Sequence, residues 1–320
     1  MSVKLLPATE NGVLPEGFFV TSNRRTWIIL NGKMIEVQNI RMDCCIVVQP
    51  DEEKAFCIEP RKVKKGELVV VGTEGVIEEG EFKFMTEPTS PERPAHLIIK
   101  ELARLLLNVR KKKGRVFIVA GPAVIHAGGR EALSELIRLG FVNVLIAGNG
   151  LAVHDIEASI YSTSLGVSLE TGEYIDHRNH IWTINKIRAV GSIKEAVEKG
   201  IIKNGIMYEC VKNKVKYILV GSIRDDGPLP DTIMDMIEAQ DKIRDEILKG
   251  VDLVICLATA LLTIGVCNML PYWVKVFVID INPAVGIKVK DRGSHQIVSV
   301  VTDVGLFLRN LVKIVRQYSD

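Results

Sequence analysis

The sequence has almost no net charge: 41 lysines and arginines stand against 39 acidic residues, leaving +2 over 320 residues. Without a field of one sign there is little to hold a phosphate backbone or an anionic membrane surface. Nucleic acid and membrane are therefore excluded as expected partners, and a small molecule is expected instead. The chain also lacks any C-x-x-C pair. Its six cysteines, at 44, 45, 57, 210, 256 and 267, read as reduced thiols of a cytoplasmic protein rather than as a disulfide frame. No apolar run of membrane length goes unbroken. The longest, 251–270, is interrupted by Asp252, Thr259, Thr263 and Asn268 and reads as a buried strand followed by a helix. The opening MSVKLLPATENG has no apolar core of signal-peptide length, so secretion is not expected.

What is present is ordinary globular composition, 47% hydrophobic and 25% charged, in a length that suits two domains. Short β signals dominate residues 18–85: a hairpin over 26–37 around Asn31-Gly32, then strands near 44–48, 55–58 and 68–71, with glycines at 66, 72, 75 and 80 between them. This predicts a β-rich N-terminal domain over 1–86. The stretch TEPTSPERP places three prolines within 86–94 and marks the boundary, because the residue before a proline is driven out of the helical region. A linker and helix are expected over 87–113, the helix beginning at Ala95 with Leu97, Leu102, Leu105, Leu106 and Val109 on one stripe.

From 114 to 320, six apolar runs of strand length alternate with helical patterns: 116–120, 144–147, 217–220, 253–257, 274–279 and 297–301. Runs of Val, Ile and Leu without alternation imply strands buried on both faces, hence a parallel sheet covered by helices. The fold class is α/β, a Rossmann-like doubly wound parallel sheet with an N-terminal β-rich domain. In such a sheet ligands gather at the C-terminal strand ends, and here those ends are rich in glycine and polar groups. The first reaches Gly121-Pro122 and then His126. The second runs through Gly148-Asn149-Gly150, half of a dinucleotide fingerprint, into a helix with His154, Asp155 and Glu157. The third carries Ser222, Arg224, Asp225 and Asp226, and the fourth Thr259 and Thr263. The fifth carries Asp280 and Asn282, and the sixth Asp303 and Val304. Asp303 is also a natural N-cap for the last helix. A tight turn or a cap accounts for each end singly, whereas the set points to a nucleotide site. Asp280 favours NAD over NADP, since a carboxylate repels a 2′-phosphate.

Several stretches carry a resemblance to a known family: GPAVIHAGG, AGNGLAVHDIE, STSLGVSLETG, HRNH, GIMYECV, GSIRDDGPLPDT, DINPAV, DRGS and TDVGLFL, with PEGFFVTSN, MDCCIVV and FKFMTE in the β-rich part. Over nearly its whole length the chain resembles the archaeal-type ornithine cyclodeaminases, formerly described as lysine-oxoglutarate reductase/saccharopine dehydrogenase. The resemblance implies a domain for NAD similar to that of deoxyhypusine synthase. It implies an amino-acid substrate in a homo-oligomeric enzyme that turns ornithine into proline and ammonia. In that chemistry a hydride leaves Cα, the side-chain amine attacks the imine, ammonia departs, and the hydride returns. Carried onto this sequence, the cofactor contacts are Asn149, Gly150, Asp226, Thr259, Asp280, Asn282, Asp303 and Val304, with Gly121, Pro122 and Thr263 beside them.

The chemistry needs a proton acceptor and a cation for the substrate carboxylate. Candidates are His177 and His180, with Arg178 or Arg224 as the clamp and Asp225 and Glu209 as carboxylates; a polar surface loop is the bland account of His-x-x-His. No third ligand stands at a familiar spacing, so a metal site is not expected. The family carries further sequence ahead of NGVLPEGFF, so a shortened N-terminal domain is expected, and Thr263 stands where the family has histidine. Another NAD-dependent amino-acid oxidoreductase, or a non-catalytic NAD-binding protein, remains open as an alternative.

Overall fold

The computed structural model describes residues 2–80, 95–225, 227–291 and 297–318. Asp226 and the proline-rich stretch lie outside them. The chain divides into two compact units, one comprising Met1–Glu87, Gly265–Val274 and Val289–Gln296, the other Pro88–Ile264, Lys275–Lys288 and Ile297–Asp320.

In the first unit seven strands, β1 (Lys4–Pro7), β2 (Thr26–Leu30), β3 (Lys33–Gln38), β4 (Cys45–Gln49), β5 (Lys54–Ile58), β6 (Leu68–Val71) and β7 (Val76–Glu78), form one sheet in the order β1-β6-β4-β5-β3-β2-β7. All neighbours are antiparallel except β3 and β5. The predicted hairpin joins β2 to β3. Asn31 and Gly32 both have positive φ, 51° and 79°, which turns a two-residue loop with the twist of the flanking strands. Alternate residues of the chain entering β4 serve opposite faces. Cys44, Ile46 and Val48 join one apolar cluster with Ile28, whereas Cys45 and Val47 join another with Val63.

The second unit holds the parallel sheet. Its strands are β8 (Val116–Ala120), β9 (Val144–Gly148), β12 (Lys216–Val220), β13 (Thr232–Ile233), β14 (Leu253–Leu257), β15 (Lys275–Asp280) and β16 (Ile297–Val301); a small antiparallel hairpin, β10 (Thr163–Ser164) and β11 (Val167–Ser168), stands apart from them. Every pair in the large sheet is parallel, in the order β13-β12-β9-β8-β14-β15-β16. The chain therefore builds outward from β8 through β9 and β12, then returns to the other side of β8 for β14, β15 and β16. That is the doubly wound order, with its reversal between β8 and β14. β8 and β14 are buried along their full length, as unbroken Val/Ile/Leu runs require. The 251–270 run resolves into β14 and a helix, α9 below, and no helix among the described residues is long and apolar enough to cross a membrane.

The helices are α1 (Ala95–Lys111), α2 (Ala123–His126), α3 (Arg130–Arg138), α4 (Asn149–Tyr161), α5 (Asn179–Val190), α6 (Ile193–Glu198), α7 (Ile206–Lys212), α8 (Met236–Leu248), α9 (Ala260–Met269), α10 (Pro283–Lys290) and α11 (Val304–Gln317). Asp303 caps α11 as expected, accepting from the Leu306 N–H at 2.7 Å. A helix beginning at Ile233 would follow from periodicity. In the structure Thr232 and Ile233 pair with β12 instead, and Asp235 starts α8 by accepting from the N–H groups of Ile237 and Glu238 at 2.8 and 3.0 Å.

At the opposite edge of the sheet from the strand C-termini, Glu246 of α8 is almost wholly buried and accepts from Arg115 and Lys216 at 2.6 Å each and from Lys249 at 2.7 Å. Burial opposes its ionisation, but the three cations win and hold its carboxyl at about 2. A carboxylate depressed in the folded state contributes stability above its unfolded value of about 4.3 and loses it as pH falls through the folded value. Denaturant unfolding at a series of pH values should therefore show Glu246→Gln less stable than the parent at neutral pH, with the gap closing between about pH 5 and pH 2.

Candidate functional site

At the reversal of strand order the C-termini of β8 and β14 lie side by side. The Gly121 N–H donates to the Leu257 carbonyl at 2.9 Å, and any Cβ on Gly121 would run into the Ala258 carbonyl and stand 3.0 Å from Thr259 Cβ. Ala258 itself is left-handed, at φ 48°, a conformation that costs an alanine about 1 kcal/mol or more and that recurs at ligand sites. It turns the chain so that Thr259, half-buried, leads into α9. Across the turn, a Cβ added at Gly150 would meet within 4 Å only Pro122, its Cγ at 3.9 Å. The first N–H groups of α4 thus begin beside the Gly121-Pro122 turn, and a helix start without intrahelical partners suits an anionic phosphate.

The Asn149 side chain is occupied internally. Its Oδ1 accepts from the Leu229 N–H and the Thr232 hydroxyl, both at 3.0 Å, and its Nδ2 donates to Asp225 Oδ1 at 3.0 Å. Asp225 Oδ2 accepts from the Ser222 N–H at 2.6 Å. These bonds fasten the loop after β12 over the end of β9, and Ser222, Ile223 and Arg224 of that loop are exposed. Two strands further, Asp280 Oδ1 accepts from the Asn282 N–H at 2.8 Å, and Asn282 Oδ1 caps Ala284 at 3.0 Å. The other Asp280 oxygen takes no hydrogen bond from the described residues. Asp303 and Val304 open α11 next to it, since the Thr302 N–H donates to the Asp280 carbonyl at 3.1 Å. Thr263 is fully buried in α9, and its hydroxyl has no partner among the described residues.

A second group of side chains comes together on the α2–α4 side of the crevice. His126, exposed at the end of α2, has its ring 5.1 Å from that of His154 in α4, and His154 lies 6.5 Å from His180 at the start of α5. The Ser164 hydroxyl, in the hairpin, meets His126 Nδ1 at 2.9 Å. Partial burial, and then the neighbouring His154, push His126 below the ordinary histidine value, with Glu157 opposing weakly. His126 is therefore neutral near pH 7 and available as a base. His180 Nδ1 donates to the His177 carbonyl at 2.6 Å, which leaves Nε2 as the lone-pair nitrogen of the neutral ring. His177 is exposed, its Nδ1 2.9 Å from the Tyr174 hydroxyl, and Arg178 is paired with Asp176 at 2.6 Å. Of the two histidines in HRNH, the structure brings only His180 into this row. His126, His154, Glu157 and Ser164 had only one signal in the sequence: a histidine a few residues beyond each of the first two strand ends.

Glu209 stands elsewhere. Its carboxylate accepts from Arg138 Nε at 3.0 Å and from Asn213 Nδ2 at 2.9 Å, and Arg138 ends α3, which descends toward the start of β9. Cys210 beside it is fully buried. The α4–α7 contact above them explains the GIMYECV motif. Asp155, fully buried in α4, pairs with Arg130 at 2.7 Å and accepts from the first N–H groups of α7, Ile206 at 2.9 Å and Met207 at 2.8 Å. Gly205, at φ 103°, passes so close that any Cβ would collide with the Arg130 guanidinium.

Comparison with known proteins agrees with both units. The family described as "Arginine dihydrolase ArgZ-like, C-terminal, Rossmann fold" matches residues 100–311, and its first C-terminal region matches 25–99. The ornithine cyclodeaminase of Methanopyrus kandleri is 50% identical over 329 residues, covering 99% of this chain and 79% of the relative. A crystal structure of a LOR/SDH protein from Methanococcus maripaludis superposes with a TM-score of 0.94 at 42% identity, covering both chains fully. The ternary complex of AgrE with ornithine and NAD+, AgrE being the bifunctional arginine dihydrolase/ornithine cyclodeaminase of a Nostoc species, gives 0.69 at 44% identity. It covers 100% of this chain and 46% of the AgrE chain. With the doubly wound sheet, its glycine-lined crevice and these matches in place, the chain belongs to the ArgZ-like C-terminal family, the family of the archaeal ornithine cyclodeaminases.

Proposed function

We propose that this chain is an NAD-dependent ornithine cyclodeaminase that forms proline and ammonia. The observation that carries the reading is the crevice between β8 and β14, seen together with a 44% identical relative solved with ornithine and NAD+. The donor set fits a dinucleotide. Gly121 lets the turns after β8 and β14 pack closely against each other at the strand ends, the start of α4 offers N–H groups to a phosphate, and Asp280 has an oxygen without a hydrogen bond from the described residues for a ribose diol. Bound there, NAD supplies a hydride acceptor that can give the hydride back.

The chain's own residues supply the rest. His126 takes the proton from the substrate amine, being neutral and exposed, and the exposed Arg224 holds the substrate carboxylate. His180 stands at the far end of the histidine row as a further group for proton exchange. Glu209 is assigned a structural part, because it is consumed by Arg138 and Asn213. The six free, buried cysteines suit a reducing compartment, the cytoplasm.

The test is a product balance. With ornithine and a catalytic amount of NAD, proline and ammonia should form one to one without net NADH. Accumulation of NADH would instead favour an amino-acid oxidoreductase, and NAD binding without turnover of ornithine would favour a non-catalytic protein.

Asp280→Ala should weaken NAD binding by roughly 10- to 100-fold, since hydrogen bonds to a charged group contribute about 1.5–3 kcal/mol. Discrimination against NADP should fall at the same time. Calorimetric titration with each dinucleotide checks both effects.

A further inference from the structure

Glu157 has no part in the mechanism as derived so far, yet it is the most heavily bonded carboxylate near the histidine row. It is fully buried. Its Oε1 accepts from the Thr163 hydroxyl at 2.8 Å and the Gly166 N–H at 2.9 Å, and its Oε2 accepts from His154 Nδ1 at 3.1 Å and the Leu165 N–H at 3.2 Å. Burial raises the energy of its charged form. The bonds from His154, Gly166 and Thr163 more than offset that and hold the carboxyl below its ordinary value, so Glu157 is ionised and acts only as an acceptor.

Two consequences follow from an acceptor at that place. The atom facing it on His154 must carry a hydrogen, which fixes the neutral ring as the Nδ1–H tautomer with its lone pair on Nε2. The hairpin residues 163–166 are also drawn onto the carboxylate, and Ser164 among them is the residue bonded to His126. Asn179 adds a lock, donating from Nδ2 to Thr163 Oγ1 at 3.0 Å.

We propose that Glu157 is a positioning residue for the histidine pair: it sets the tautomer of His154 and, through the 163–166 turn, the seat of Ser164 against His126. Orientation of a proton-carrying imidazole by a buried carboxylate is a recurrent device of acid–base catalysis. The assignment rests on the reading that His126 handles a proton in ornithine conversion, but its first test does not.

That test is the ¹⁵N spectrum of the histidines in the full chain without substrate. The neutral His154 ring should be protonated on Nδ1 and bare on Nε2. A predominantly Nε2–H ring in the parent protein overturns the proposal with no variant needed. In Glu157→Gln a single amide oxygen replaces four acceptor positions, and the amide NH2 faces donors. The Nδ1–H form of His154 should then give way to a mixture, and kcat should fall roughly 10²-fold with the ornithine KM and NAD affinity within about twofold. Thr163→Val removes one bond of the turn to the carboxylate without touching His154, so it should keep the Nδ1–H tautomer and lose less of kcat than Glu157→Gln, through the seat of Ser164 alone. Retention of both tautomer and kcat in Glu157→Gln sinks the idea. If the parent turns over no ornithine, the functional reading fails while the tautomer result still decides the positioning of His154.

Discussion

Replacement of His126 by alanine is expected to lower kcat for ornithine conversion about 10²- to 10⁴-fold, the range that a positioned acid–base group contributes. NAD affinity should stay within about twofold, because no residue proposed to hold the dinucleotide bonds to the imidazole. The fold should also survive: His126 is exposed, and among the described residues its bond to Ser164 is the polar side-chain contact removed. The pH profile carries the sharper signature. His126 is displaced below the ordinary histidine value, by burial and by His154. As a base it is active above that displaced value, so the acidic limb of kcat/KM in the parent should lie below about pH 6.5 and vanish in the alanine variant. An unchanged acidic limb after the substitution would assign the proton to another group.

The second large effect is on stability. Asp155→Ala removes the partner of Arg130 and the acceptor for the first two N–H groups of α7 in one step. Breaking a buried pair by deleting one member costs about 3–5 kcal/mol, because the remaining charge stays buried. Arg130 is only partly exposed and keeps its bonds to Asn204, at 3.1 and 2.8 Å, which places the cost toward the lower end. A loss of about 3 kcal/mol corresponds to a fall of roughly 6–12 °C in Tm for a unit of this size. Asp155 and Glu157 are neighbours on one helix with opposite duties: one fastens α7, the other the hairpin. Denaturant midpoints should therefore separate the two substitutions clearly, with Glu157→Gln the milder. Equal stability of Asp155→Ala and the parent would mean that α7 is held by its apolar face alone, through Ile206, Met207 and Cys210.

The parallel strands were legible in the sequence because β8 and β14 are buried on both faces, and such strands cannot be anything but apolar throughout. Asn31-Gly32 announced its hairpin for an equally local reason, and so did Asp303 its cap. Helix α5 was not legible. Ile181 and Trp182 are 43% and 44% exposed while Asn179 and Thr183 are buried beside Ile184 and Ile187, so the apolar residues of α5 are split between its outer and inner faces. Its buried polar groups are satisfied by bonds to Thr163 and to the Asn179 carbonyl, partners that periodicity cannot see.

The candidate site divides in the same way. The crevice could be read because glycines and carboxylates cluster at strand ends, one after another along the chain. The histidine row could not, since it joins segments far apart: Ser164 meets His126 across 38 positions, brought there by a hairpin of two-residue strands. Glu209 looked like a site carboxylate until Arg138, 71 positions away, was found on it. Asp225, offered as a site carboxylate, is held from within by Asn149 and the Ser222 N–H.

The return of the hydride is read most directly in the conversion of ornithine deuterated at Cα, with a catalytic amount of NAD in ordinary water. A cyclodeaminase that returns the same hydride gives proline that carries the deuterium at its own Cα, formed together with an equal amount of ammonia. Proline with the label lost to solvent, or no proline at all, would contradict the proposed function.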